Sequence, residues 1–251
     1  MKKIHFFLAT IVTLFSNISF CQDSTAHQIQ KQASNLRYHS VIIPAAMIIY
    51  GGIAVKNNEL KKVNQDIQIG VTPTDLTQQI HLDNYLQFAP AVIALGLNTC
   101  GVRGKHNLAG AAMIYAMSNI FLNVVTIPTK QISHELRPNE LSYSSFPSGH
   151  TAEAFASAEF LRMEYQDKSI WYGVLGYSMA CMTGYLRMYN NKHWFSDVAA
   201  GAGIGILSTR LAEYIYSKLE PKLFGNRNKS NTLFMPFYKD NNVGIGLTHQ
   251  F

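Results

Sequence analysis

Apolar residues gather in long blocks along the chain: Val41 to Val55, Tyr85 to Val102, Leu108 to Pro128, Ile170 to Leu186 and Val198 to Tyr216. Each is longer than the about four to eight residues of a typical strand, so the blocks predict helices. An Ala-rich run after His150 adds another. The pattern predicts an all-α bundle of about six helices, with its core in residues 85–217. Residues 22–84 form an N-terminal helical region whose second half, 56–84, is polar and holds "VTPTDLTQQIHLD", where Thr-Pro-Thr-Asp predicts a turn before a short helix. "DNYLQFAP" at 83–90 fits a helix start with Asp83 as its cap; it borders a substrate entrance at most and is assigned no chemistry. In the tail, 218–251, the period changes. Val243, Ile245, Leu247, His249 and Phe251 alternate with Gly244, Gly246, Thr248 and Gln250, which predicts a strand. Residues 232–238 are its candidate partner across a turn at Lys239 to Asn242, giving a small C-terminal β-hairpin.

Composition sharpens this picture. Charged residues make up 14% of the 251 residues, against a norm of about 25%, while apolar content is an ordinary 47%. That balance favours a membrane or a very apolar helical bundle. Met1 to Cys21 carries two lysines, an apolar stretch and small residues at Ser19 and Cys21, which reads as a secretory signal peptide, 1–21, cleaved after Cys21. Without Lys2 and Lys3 the formal charge falls from +6 to +4, too modest for a nucleic-acid partner. Cys100 and Cys181 lie in apolar stretches and are expected to be buried thiols, although an exported chain could pair them.

Three stretches carry candidate chemistry. In "TKQISHELRPNE", Lys130 and Arg137 are seven residues apart, close to two helical turns, so one helix face can present both, with Pro138 ending the helix. Two cations there suit a multiply charged anion. In "SSFPSGHTAEAF", Pro147, Ser148 and Gly149 break the chain and His150 falls in the first turn of the next helix, where free N–H groups and the dipole attract phosphate. In "GYLRMYNNKHWFSDVAAG", His193 and Asp197 are four apart, so on a helix the carboxylate can accept the imidazole N–H, and Arg187 adds a third cation. His134, His150, His193 and Asp197 are metal-ligand types, but three cations beside them repel a divalent ion; neither metal nor cofactor is expected. His134 and Glu135 read as surface or supporting groups, and Trp171 and Trp194 as packing residues.

As a set, Lys130-x6-Arg137-Pro138, Pro147-Ser148-Gly149-His150 and Arg187-x5-His193-x3-Asp197 resemble the three-part signature of the type 2 phosphatidic acid phosphatase (PAP2) superfamily, over about residues 85–217. That superfamily also holds soluble bacterial acid phosphatases and vanadium haloperoxidases. The resemblance implies that His193 attacks phosphorus to form a phosphohistidine while Asp197 holds its ring. Lys130, Arg137, Arg187 and the backbone at Ser148 and Gly149 would bind the phosphate oxygens, and His150 would protonate the leaving oxygen. Two departures stand out: Leu186 replaces the usual Ser before the Arg, and only eight residues separate Pro138 from Pro147.

The resemblance further implies a metal-independent phosphatase acting on a phosphate monoester or pyrophosphate, with lipids first as substrates: phosphatidate-like lipids, undecaprenyl pyrophosphate or lipid A. A vanadate-dependent haloperoxidase, a soluble periplasmic acid phosphatase and a non-catalytic phospholipid-binding protein are the alternatives. In membrane members the site faces outward, which demands a cytoplasmic N-terminus after three crossings; a cleaved leader puts the N-terminus outside. Either the leader is retained or one apolar block does not span, and Val41 to Val55 is shorter than the roughly 20 residues needed. The expected setting is a bacterial envelope, embedded in or associated with the membrane, with the site facing the periplasm.

Overall fold

A computed structural model describes residues 38–73, 79–224, 231–239 and 242–250; the leader and residues 22–37 lie outside them. The helices are α1 (Tyr38–Ala54), α2 (Asn58–Val71), α3 (Asp83–Leu86), α4 (Ala89–Thr99), α5 (Leu108–Ser133), α6 (Gly149–Tyr165), α7 (Ile170–Tyr189) and α8 (Phe195–Phe224). The fold is an all-α bundle with eight helices among the described residues rather than about six.

The two extra helices have physical reasons. Helix α2 turns a polar face inward, with Asn64 and Gln68 buried, so its period is invisible to a search for apolar stripes. Asn57 caps it by accepting the N–H groups of Glu59 and Leu60. The block Tyr85 to Val102 breaks into α3 and α4, and Pro90 sits at the start of α4, where its missing N–H costs nothing.

Helix α6 is the centre of the bundle. Ala152, Ala154, Ala156 and Ala158 are fully buried, with α7 on one side and α8 on the other. Small residues let the backbones meet: a Cβ on Gly205 of α8 would lie 2.1 Å from the carbonyl oxygen of Ala152, and one on Gly203 would lie 2.4 Å from that of Pro44 in α1. Helix α8 is therefore clamped between α6 and α1. Bulkier side chains fill the end of the bundle away from His150, where Ile114, Phe160, Tyr165, Tyr172 and Tyr216 form a core cluster. Glu159 is buried in the same helix but accepts from Arg162, Arg210 and Tyr177, so its charge is matched.

Helix α5, 26 residues long with a mean hydropathy of 1.6 over its most apolar window, is long and apolar enough to cross a membrane. Ile120, Val124, Val125 and Ile127 on it are exposed. Helices α1 and α2 pass the same test only as a pair, bent by 102°. Cys100 and Cys181, expected to be buried, are instead exposed and unpaired, because both fall on outward faces. Residues 231–239 and 242–250 pair antiparallel, Lys239 opposite Asn242.

Candidate active site

Four places in the chain meet at one end of the bundle: the end of α5 with the loop after it, the start of α6, the end of α7, and the loop into α8. Helix α5 stops at Ser133, where His134 takes a left-handed conformation. Arg137 therefore stands in the following loop, not on a helical face shared with Lys130, and Pro138 is not the stop. The loop is tied back by Ser133 Oγ donating to the Phe146 carbonyl (3.0 Å), Lys130 Nζ to the Ser144 carbonyl (2.9 Å) and Trp194 Nε1 to the Leu136 carbonyl (2.8 Å). Lys130 is thereby brought against the start of α6: a Cβ on Gly149 would lie 3.9 Å from its Cε.

Ser148 is the N-cap of α6, its Oγ accepting the Thr151 N–H and bonding Thr151 Oγ1. Its own N–H donates to the Asp197 carbonyl at 3.0 Å. The amide of Ser148, expected to face an anion, is thus committed to the fold. Gly149 and His150 hold the first two positions of the helix, whose N–H groups have no intrahelical acceptor.

His193 and Asp197 do not share a helical face either. His193 precedes α8 and Asp197 lies in its first turn, where its Oδ2 reaches back to the Trp194 N–H (2.9 Å) in the manner of a capping box. The same oxygen accepts from Ser145 Oγ at 2.5 Å. His193 Nδ1 faces it at 3.6 Å, an ion-pair distance and longer than a hydrogen bond. Both side chains are buried. His193 is held well below the usual imidazole range by burial and then by the charges of Arg187, Lys130 and Arg137. Burial pushes Asp197 up to about 6, against the pull of Ser145, the Trp194 amide and the same cations. At neutral pH this leaves an uncharged imidazole beside a carboxylate, the state a nitrogen nucleophile needs.

The structure also places residues that the motifs do not contain. Asp83, at the first position of α3 and not its cap, is fully buried, and its Oδ2 accepts from Arg187 Nη1 at 2.7 Å. Asn84 Oδ1 lies 3.0 Å from His150 Nε2. The charge of Lys192, one residue before His193, acts on His150 and Arg187. Leu186, which departs from the signature, is buried against the bundle. Glu135 pairs with Lys61 of α2 at 3.6 Å, as a supporting group would.

Arg137 Nε, Arg187 Nε, His193 Nδ1, Asp197 Oδ1 and Asp83 Oδ1 are buried with no protein partner among the described residues. Two guanidinium N–H groups, an ammonium and two helix-start amides around a neutral imidazole fit a tetrahedral oxyanion. Among the described residues, one close-set group of potential metal ligands, His106, Glu164 and Glu213, lies apart from this site, at the loop before α5 and on α6 and α8. They are bonded to one another and to Lys105.

Removing one charge of the buried pair should be costly. Asp83→Ala strands Arg187 and is expected to cost about 3 kcal/mol of stability, while Asp83→Asn keeps an acceptor and costs less. Thermal unfolding in detergent checks the order.

Residues 111–221 match the family model of the PAP2 superfamily. The chain is 37% identical over 135 residues to the lipid A 1-phosphatase of Porphyromonas gingivalis, a stretch covering 53% of this chain and 30% of that protein. It is 31% identical over 121 residues to the bacitracin transport permease protein BcrC of Bacillus licheniformis, covering 42% of this chain and 55% of that protein. The chain thus spans about a third and about half of the length of these two relatives. Among solved structures, the transmembrane PAP2 type phosphatidylglycerolphosphate phosphatase from Bacillus subtilis aligns with a TM-score of 0.49 at 18% identity, over 70% of this chain and 97% of that one.

Proposed function

We propose that the chain, whose residues 111–221 match the PAP2 superfamily model, is a member of that superfamily and a metal-independent lipid phosphatase working through a phosphohistidine on His193. One observation carries the reading: a buried, neutral His193 lies among Lys130, Arg137 and Arg187, with the start of α6 and its His150 beside them.

The phosphate of the substrate is bound by Arg137, Arg187, Lys130 and the amides of Gly149 and His150, which neutralise its oxygens as charge shifts in the transition state. His193 Nε2 gives its lone pair to phosphorus while the bond to the leaving oxygen breaks. Asp197, on the Nδ1 side, steadies the positive charge that develops on the ring. Protonated His150 delivers its proton to the leaving oxygen. Water then attacks the phosphohistidine, His150 takes the proton, and the N–P bond breaks to release phosphate. In the free protein His150 is depressed to about 4 by burial, then by Arg187, with Asp83 opposing. A bound phosphate dianion supplies the negative charge that raises it again, so the acid is armed by the substrate itself.

The lipid class rests on α5. This helix has an exposed apolar flank, is long and apolar enough to cross a membrane and carries Lys130 in its last turn, so in a spanning arrangement a phosphate bound there would lie at head-group depth. Phosphatidate-like lipids, undecaprenyl pyrophosphate and lipid A are the candidates, with the relative from Porphyromonas gingivalis favouring the last. The site would open to the periplasmic side of a bacterial envelope.

The experiment is phosphate release by the detergent-purified protein, with chelator, from phosphatidate, undecaprenyl pyrophosphate, lipid A and a small aryl phosphate. Chelator-resistant release, preferring a lipid and leaving acid-labile phosphate on His193, is expected. Faster turnover of the aryl ester would make it a general acid phosphatase. No release from any of them would sink the phosphatase assignment, and halide oxidation by the vanadate-loaded protein would replace it.

The pH dependence carries a sign. Asp197 must be ionised, so its own contribution to the rate is lost as pH drops through about 6. Ser145→Ala removes the hydroxyl that favours the carboxylate and should move this limb to higher pH. The ratio of variant to wild-type rates cancels ionisation of the substrate, and a ratio flat from pH 5 to 8 would refute the assignment (roughly the range over which such a group titrates).

A further inference from the structure

Asn84 lies in α3, ahead of the residues that carry the family match, and none of the signature positions includes it. Its Oδ1 is 3.0 Å from Nε2 of His150, a separation of 66 residues along the chain. Its backbone is held firmly. The Asn84 N–H donates to the His81 carbonyl at 3.3 Å, the Asn84 carbonyl accepts from Gln87 Nε2 at 2.9 Å, and its neighbour Asp83 is anchored on Arg187 at 2.7 Å. The carboxamide, itself exposed, is therefore presented to His150 by a segment anchored at Asp83.

A carboxamide oxygen only accepts hydrogen bonds, so the nitrogen it faces must carry a proton in both the neutral and the charged ring. We infer that Asn84 is a positioning residue for His150: by accepting the Nε2–H it fixes the neutral tautomer and makes Nδ1 the nitrogen that gives and takes the proton at the leaving oxygen. This inference rests on the phosphatase reading above and deepens it.

The charges around the ring explain why such a contact matters. Lys130 of α5, Arg187 of α7 and Lys192 of the loop before α8 all disfavour the imidazolium, and Asp83 of α3 favours it. Asp83 is already spent on Arg187, so its help is partial. The Asn84 oxygen adds a hydrogen bond to the charged form without adding a charge that would repel phosphate. A carboxylate at the same place would hold the proton more strongly but would weaken anion binding.

The test uses Asn84→Leu, which removes the acceptor at similar size, and Asn84→Asp, which makes it charged. In the full-length protein in detergent, the pH profile of kcat is measured with an aryl phosphate, alongside nitrogen NMR of histidine-labelled protein with His150→Gln to assign the ring. Asn84→Leu is expected to lower kcat on the order of tenfold or more, with the alkaline limb moved to lower pH, while KM changes little. Asn84→Asp should move that limb to higher pH and raise KM. The spectrum of the wild type should show His150 protonated on Nε2 when neutral, and Asn84→Leu should lose that preference. A purely structural role would lower rates without moving the limb in opposite directions. His150 protonated on Nδ1 in the wild type, or a limb unmoved in both variants, overturns the inference. The two readings fail separately: absence of phosphate release by the wild type removes the phosphatase reading, while the tautomer is measured without turnover.

Discussion

His193→Ala is expected to lower phosphate release by roughly 10⁴-fold or more, since in the proposed mechanism it removes a covalent nucleophile and deletes the pathway rather than weakening one of its contacts. The protein should remain folded. His193 is buried beside Asp197 at 3.6 Å and interacts with the Ser145 backbone, so alanine leaves a cavity there, while Asp197 keeps its bonds from Ser145 and the Trp194 amide. Asp197→Asn should cost less, because the attacking nitrogen remains and only its electrostatic support is lost. Release by the two variants, each normalised to protein shown to be folded by thermal unfolding, checks the order. His193→Ala retaining activity within tenfold of wild type would remove it as the nucleophile (a residual of that size being far above what binding groups alone sustain).

Gly205→Val is expected to destroy the fold. A Cβ at this position would lie 2.1 Å from the Ala152 carbonyl oxygen and 2.8 Å from the Ala156 backbone nitrogen, all of them rigid helical atoms. Helices α6 and α8 would have to separate, with the loss of packing along their whole contact and a cost on the order of 5 kcal/mol or more. Gly52→Val, on a helix surface where a Cβ meets nothing within 4 Å, is the control. Comparable yields of folded protein from both variants would refute this account of the interface.

The four long helices α5 to α8 were legible because their apolar or Ala-rich blocks exceed any strand, and Pro138 and Pro147 mark the connection between α5 and α6. The candidate site was legible for a related reason. Lys130, Arg137, His150, Arg187, His193 and Asp197 are unusual residue types at fixed offsets from those breakers. Their local conformations were not legible. Arg137 and His193 sit in loops because His134 turns left-handed after Ser133 and because Asp197 caps α8 from inside, and neither choice leaves a mark in residue spacing. The supporting roles were not legible: the sequence offers Asp83 only as a helix cap and marks neither Asn84 nor Ser145. Asp83, Asn84 and Ser145 are common residue types whose partners lie 104, 66 and 52 residues away, so only the folded chain joins them. Helix α2 was hidden for the opposite reason: its inward face carries Asn64 and Gln68, which bond to Ser196, Met188 and Asn191 and so brace the loop bearing His193 with polar contacts.

The hydrogen bond from the Ser148 N–H to the Asp197 carbonyl has a consequence for substrate range. It joins main chain to main chain, two residues before His150 and four after His193. The interval between His150 and His193 is thereby set by backbone, and Gly201, whose Cβ would lie 2.5 Å from the Ser148 carbonyl, packs against the same turn. On the proposed reading, side-chain replacement around the mouth would retune which head group is admitted without altering that interval, whereas inserting or deleting a single residue between Pro147 and His150, or between His193 and Asp197, would shift the two histidines relative to one another and stop both proposed steps.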